Sequence, residues 1–337
     1  MQAQVLVEVI RGPLVENRHR GHVAIVDWQG KLLWSAGDPQ HITFWRSSAK
    51  PVQALPVVEL GAVDHYGIAL QELALFCASH NGEAFHTQTV KDIFAKIGQD
   101  YSLLQCGVHS PYHKATAKAM LLTGEEPSVL HSNCSGKHSG MLTLVTHLGY
   151  DSSNYLDLDH PLQQTILDYI GDLANYPREQ IAIGVDGCGV PVHGLPIYNM
   201  SLAYARLARP QGLGKEREEA CSRVTRAMMA HPEMISGTEG FCTKLMQAAP
   251  GRLIAKGGAA GVYCVGIIDE GIGITVKCED GASRGRDSVV VEILKELGYL
   301  SAEEAQSLEG FYHPEIINHR KEKCGQVRPV VKLKRER

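Results

Sequence analysis

The chain has 337 residues, enough for one large domain or two ordinary ones with a substantial buried core. Its net charge of −4, with 44% hydrophobic and 21% charged residues, argues against nucleic-acid or membrane-surface partners, both of which favour a basic face. No window reaches the ~20 continuous apolar residues that span a bilayer, and MQAQVLVEVIRG lacks a basic leader before a long apolar stretch. A cytoplasmic protein is expected, its nine scattered cysteines being reduced thiols, small buried hydrophobes or metal ligands.

In chain order, Val5, Val7 and Val9 read as a mostly buried strand, and His22–Val26 and Lys31–Trp34 flank a turn at Asp27–Gly30 to make a hairpin. From Ser47 the pattern is helical, with Pro51 in the first turn, Pro56 as a kink or early end, and Gly61 as terminator. Val90, Ile93, Phe94 and Ile97 form an apolar stripe closed by Gly98. Leu162, Ile166, Ile170 and Leu173 form another, with Asp159 as cap and Pro161 just inside. A helix is expected from Met141, and others over Glu216–Met229 and Thr238–Ala248. Strands return at Leu253–Lys256, Gly261–Ile268 and Ile272–Lys277, followed by a helix capped by Ser283. The basic tail from Val330 reads as a solvated charge run. The pattern predicts an α+β chain, an α/β sandwich forming a single unit over 1–337. Its antiparallel sheet comes from both chain ends (1–45 and 250–325) around a central helical region (46–249).

Several polar clusters are not required by periodicity. In Arg46-Ser47-Ser48-Ala49-Lys50, a neutral lysine amine can take the proton of a serine hydroxyl. Positions three apart share a helix face, which favours Ser47 over Ser48 as the partner of Lys50. S-x-x-K alone is frequent by chance and also reads as a helix cap followed by a solvated lysine. Ser79 lies in the polar turn Cys77–Glu83, and Lys256-Gly257-Gly258 puts a lysine at a strand end before glycines whose N–H groups can hold an oxyanion. A Ser-Lys helix, a second serine and a Lys-Gly strand follow the element order of serine β-lactamases and penicillin-binding proteins, with Lys-Gly-Gly in place of Lys-Thr-Gly. The clusters Asn133–Gly140 and Val185–Gly194 each carry a cysteine but lack paired C-x-x-C spacing. They read as buried thiols, as ligands converging on a soft cation, or as a Cys134–His138 pair.

Taken together, Arg46–Lys50, Ala78–Glu83, Cys134–His138, Asp186–Pro191, Thr238–Gly240, Lys256–Gly258 and Glu279–Gly281 resemble, in order, the L-asparaginase II family of the Rhizobium etli type. The resemblance runs over residues 5–325 and implies a serine β-lactamase-like fold. It implies two Ser-Lys tandems, Ser47 with Lys50 and Ser79 with Lys256. It also implies a zinc site at Cys134, Lys137 and Cys188 that is not obligatory for the chemistry, with no organic cofactor. Asp186 and Glu83 would bind a substrate α-ammonium and Arg46 its carboxylate, in a homodimer acting on a small amino-acid amide. The expected reaction is hydrolysis of L-asparagine through an acyl-enzyme, with activity falling as the lysine is protonated at low pH. The competing readings are another serine acyl hydrolase, such as a glutaminase or β-lactamase, and a non-catalytic thiol and zinc protein.

Overall fold

The computed structural model describes residues 2–336. The chain divides into two compact units: Met1–Ser48, Gly194–Arg209 and Lys244–Arg337 form one, Ala49–His193 and Pro210–Thr243 the other. The α+β class and the sheet built from both ends of the sequence are as expected. The sheet unit also takes in 194–209, which sequence reading assigns to the helical region.

The sheet has nine strands among the described residues: β1 (Gln4–Arg11), β2 (Leu14–Asp27), β3 (Leu32–Ala36), β4 (Leu253–Gly257), β5 (Val262–Ile267), β6 (Ile272–Cys278), β7 (Glu315–Ile317), β8 (Lys323–Pro329) and β9 (Lys334–Arg335). The order is β7-β8-β1-β2-β6-β5-β4; β3 also pairs with β2, and β9 with β3. Every pairing is antiparallel. The 14-residue β2 serves two partners on one side: its first half pairs with β1 and its second with β3, while β6 runs along the other side. The basic tail is therefore not simply solvated. Lys334 and Arg335 pair with Ser35 and Trp34, and the Ser35 hydroxyl donates to Glu336.

Helix Ile197–Ala208 lies on this sheet at a point made for it. Gly266 of β5 and Gly273 of β6 are cross-strand partners. A methyl group on Gly273 would sit 1.7 Å from the Ser201 carbonyl oxygen, and one on Gly266 2.9 Å from that of Tyr204. Two facing glycines let the helix backbone approach the strands at a distance no side chain allows. The Glu279-Asp280 turn is tied back to β2 by two histidines: His22 Nε2 contacts Glu279 at 3.1 Å and His19 Nδ1 contacts Asp280 at 2.5 Å.

In the helical unit, Val90, Ile93, Phe94 and Ile97 are all buried on helix Ala84–Ile97, and Gly98 closes it at φ +66°. Helix Pro161–Ala174 buries its expected stripe, but its cap is His160, whose ring accepts from the Leu162 amide, rather than Asp159. The span after Lys50 is two short helices, Lys50–Gln53 and Leu55–Glu59, each with proline in its first turn. Pro56 has no N–H for the Val52 carbonyl, which ends the first helix. Helix Ser135–Leu148 starts earlier than its apolar run suggests. Gly136 and Gly140 are not breakers but close-packing positions: Cβ atoms there would lie 2.3 Å from the Leu75 carbonyl oxygen and 2.7 Å from the Phe76 ring. Among the described residues no helix is long and apolar enough to cross a membrane.

Candidate active site

In the sheet unit, a short ladder pairs Ile42–Phe44 with 194–196 and leads directly into the serine turn. Trp45 is fully buried, and its indole N–H donates to Cys264 Sγ at 3.3 Å. Arg46 then adopts φ +52°, a left-handed conformation that costs a non-glycine residue about 1–2 kcal/mol and clusters at functional sites. Residues Arg46–Ala49 form a 3₁₀ turn where the sequence suggests an α-helix. Pro51 supplies the reason, because it has no N–H to donate to the Ser47 carbonyl four residues back.

The two serines differ sharply. Ser48 is fully buried, its hydroxyl donates to the Lys256 carbonyl at 2.9 Å, and its own carbonyl accepts from the Tyr204 hydroxyl at 2.7 Å. Gly258 lies so close that a Cβ there would be 3.0 Å from Ser48 Oγ. Ser48 thus ties the turn to the Lys-Gly strand, a role that sequence reading leaves open. Ser47 is half-buried, and its hydroxyl makes no hydrogen bond among the described residues. Lys256 is buried and donates to the Gly257 carbonyl at 2.8 Å.

In the helical unit, the Lys50 amine is 1% exposed and faces three acceptors: Ala78 O at 2.5 Å, Ser79 Oγ at 2.9 Å and Cys134 Sγ at 3.3 Å. Ser79 Oγ thus has a lysine partner in Lys50. The Ser79 amide is fixed by the Ile235 carbonyl. Glu83 begins the helix at Ala84, and its two carboxylate oxygens accept from the amide and hydroxyl of Thr238 at 2.8 and 2.9 Å. It therefore holds the Thr238–Gly240 turn, a task that sequence reading did not assign to it.

The thiol clusters do converge. Cys134, at the start of helix Ser135–Leu148, meets Cys188 and Asp186, with one ligand atom from each lying within 4.8 Å of the others. Lys137 Nζ donates to Cys188 Sγ at 2.9 Å. The tight turn Asp186–Val190, closed by the Asp186 amide on the Val190 carbonyl and by Gly189 at φ +89°, presents Asp186 and Cys188 together. Cys134 is the thiol that gives up its proton: Cys188 hydrogen-bonds to it, and the Lys50 and Lys137 ammonium groups hold it well below the ordinary thiol range despite burial. The Cys188 thiol is pushed up by the same contact and by burial. Burial opposes the charge on Lys137, but Cys134, Cys188 and Asp186 outweigh it and raise the lysine. Two sulfurs, an amine and a carboxylate form a soft-to-borderline donor set that fits zinc. Asp186, a substrate contact in the sequence reading, is thus also part of the thiol group. The trio His22, His41 and Glu279 is compact as well, but does not fit an ion. His22 Nδ1 accepts the Asp38 amide, so the proton sits on Nε2, the nitrogen facing Glu279.

A family model described as L-asparaginase II matches residues 7–329. The chain belongs to the L-asparaginase II family. No curated protein matches the sequence. Among solved structures, the chain is similar to a β-lactamase from Mycobacterium bovis, with 12% identity over 82% of this chain and 94% of that one, at a TM-score of 0.43. It is also similar to the D-alanine carboxypeptidase AmpC of Burkholderia cenocepacia, with 14% identity over 83% and 93% and a TM-score of 0.43. A further similar structure is the simvastatin synthase of Aspergillus terreus, with 11% identity over 86% and 93% and a TM-score of 0.41. As a member of the asparaginase II family, the protein is an amidohydrolase acting on a small amide.

Two buried histidines behind Ser79 give this asparaginase-family protein an acid limit. His80 and His86 stack at 4.8 Å. In each, Nδ1 accepts a backbone amide (Gly82 for His80, Glu83 for His86) and Nε2 donates, to Ser135 Oγ and to the Glu233 carbonyl respectively. Protonation would turn Nδ1 towards an N–H with no acceptor to offer. Burial pushes His86 down to about 4 and His80 well below its ordinary value. The unfolded chain therefore takes up protons first. Stability is full above about pH 6.5 and falls as pH drops from there towards 4, by about 3 kcal/mol for His86 alone. Calorimetry between pH 7.5 and 4.5 checks this; a melting temperature constant over that range contradicts it.

Proposed function

We propose that this protein hydrolyses the side-chain amide of L-asparagine to L-aspartate and ammonia through a serine acyl-enzyme. The observation that carries the proposal is the buried Lys50 amine 2.9 Å from a serine hydroxyl, Ser79, three positions along the chain from the unengaged hydroxyl of Ser47. Ser47 Oγ attacks the amide carbon as its proton passes, with Ser79 as relay, to Lys50, which acts as base once the resting ammonium has given up a proton. The backbone N–H of Gly257 is assigned to the developing oxyanion. The relayed proton passes to the departing nitrogen, the C–N bond breaks, and ammonia leaves. Water then attacks the acyl carbon and gives its proton to the same lysine network, which returns it to Oγ as the C–Oγ bond breaks to release aspartate.

Arg46 is assigned to the substrate carboxylate; Asp186 and the remaining lone pairs of Glu83 are assigned to its α-ammonium. Cys134, Lys137 and Cys188, with Asp186, are the residues that would hold zinc. When bound, the ion supplies a fixed positive charge that orders this side of the site. A homodimer completes the proposal, on the strength of the family resemblance. Ammonia release from asparagine and glutamine, with nitrocefin alongside, tests the reading on wild type, Ser47→Ala and Ser79→Ala. Asparagine is expected to be the substrate, with a loss of at least about 10³-fold in Ser47→Ala. Full activity in both variants removes the serine mechanism.

A further inference from the structure

The turn after Lys256 is held by its carbonyls. The Ser48 hydroxyl donates to the carbonyl of Lys256, and Lys256 Nζ donates to that of Gly257 at 2.8 Å. Arg286, on helix Ser283–Glu296, donates from one guanidinium nitrogen to Gly258 O at 2.8 Å and Val262 O at 3.3 Å. Lys277 Nζ donates at 2.6 Å to both Ala260 O and Cys278 O, and Ala260 adopts φ +57°. The Gly261 carbonyl accepts the Cys278 amide, and the Gly258 amide closes the turn on Val262 O.

Arg286 is itself fixed from three directions. Its side chain is 11% exposed, its Nε donates to Asp287 at 2.7 Å, and its guanidinium lies 5.0 Å from the centre of the Tyr263 ring. Such a cation is costly to bury and is out of proportion to the needs of an ordinary hairpin turn. A turn whose carbonyls are drawn towards buried cations holds its backbone in one fixed orientation, which is what a preorganised site needs.

We infer that Arg286 is a positioning residue: by gripping the carbonyls of Gly258 and Val262 it fixes the backbone that carries Lys256 and Gly257. This rests on the hydrolase reading above. Lysine cannot replace it, because an ammonium lacks the planar fork that spans both carbonyls and Asp287 at once.

Two measurements on wild type, Arg286→Ala and Arg286→Lys test the inference. Amide hydrogen exchange over residues 256–262 is expected to speed up at least about tenfold in both variants. With asparagine, kcat is expected to fall about 10–100-fold in both while KM changes by less than about threefold. Added guanidinium ion is expected to restore part of kcat to Arg286→Ala and none to Arg286→Lys. Unchanged exchange over 256–262 in both variants, or a kcat loss in Arg286→Ala that guanidinium does not relieve, overturns the inference. If wild type releases ammonia from neither asparagine nor glutamine, the hydrolase reading fails, and the exchange result alone decides whether Arg286 holds the turn.

Discussion

Lys50→Met is expected to lower the rate of ammonia release from asparagine by about 10²–10⁴-fold, the range that a positioned proton acceptor contributes. Methionine matches the length of the lysine and suits a side chain that is 1% exposed, so the fold should survive. What it removes is every bond the amine makes, to Ala78 O, Ser79 Oγ and Cys134 Sγ. The Ala78 carbonyl loses a buried donor, which costs about 1–3 kcal/mol and lowers the melting temperature. Lys50→Arg separates chemistry from structure. Arginine keeps a charged donor but does not give up its proton near neutral pH, so it cannot act as a base. If Lys50→Arg retains more than a tenth of wild-type kcat, Lys50 is a structural donor and the Ser-Lys mechanism is wrong.

The second large effect concerns metal rather than rate. If the proposed site holds zinc, Cys134→Ala and Cys188→Ala are each expected to weaken its binding by at least about 100-fold, since a lost ligand exceeds the loss from an outer-shell partner. Asp186→Asn weakens it by about 10–100-fold, because the carboxylate lies within 4.8 Å of both thiol sulfurs. Competition against a chromogenic chelator measures all three without recourse to activity. Equal affinity in wild type and both cysteine variants would dispose of the site. Lys137 holds a proton in the metal-free arrangement, so zinc uptake through its amine releases that proton and binds more tightly as pH rises.

Much of the fold is legible in the sequence. The strands β1, β2 and β4–β6 and the stripes at Val90–Ile97 and Leu162–Leu173 follow from short-range periodicity, which depends only on neighbouring residues. The errors have a common cause. Gly136 and Gly140 carry no side-chain signal, and only the approach of Leu75 and Phe76 explains them. His160 outcompetes Asp159 as a cap through ring geometry that propensity does not record. The tail was misread because its pairing partner lies about 300 residues away, and charge composition says nothing about register.

The candidate site divides in the same way. Lys50, Ser79, Cys134 and Cys188 stand out by residue type in polar runs, and distance in space then groups them. Ser48, Tyr204 and Arg286 were invisible for a different reason. Each acts on a backbone carbonyl, and the partners of Ser48 and Tyr204 lie 208 and 156 positions away. A carbonyl has no letter in the sequence. A tyrosine on an amphipathic helix or an arginine in a polar first turn therefore looks like ordinary packing or surface.

The two-sided role of β2 also has a bearing on how the molecule comes into being. Its second half joins β3 on one side, a neighbour made within a few residues, and β6 on the other, which is not complete until Cys278. While the ribosome is still producing everything between, Val23–Val26 presents an apolar edge with free amides and carbonyls, the kind of template on which nascent chains cross-pair. The sheet is thus a late product of synthesis, and the helical unit has most of its residues first. Yield in a cell should respond to translation speed and to chaperones that shield strand edges more than the stability of the finished protein would suggest.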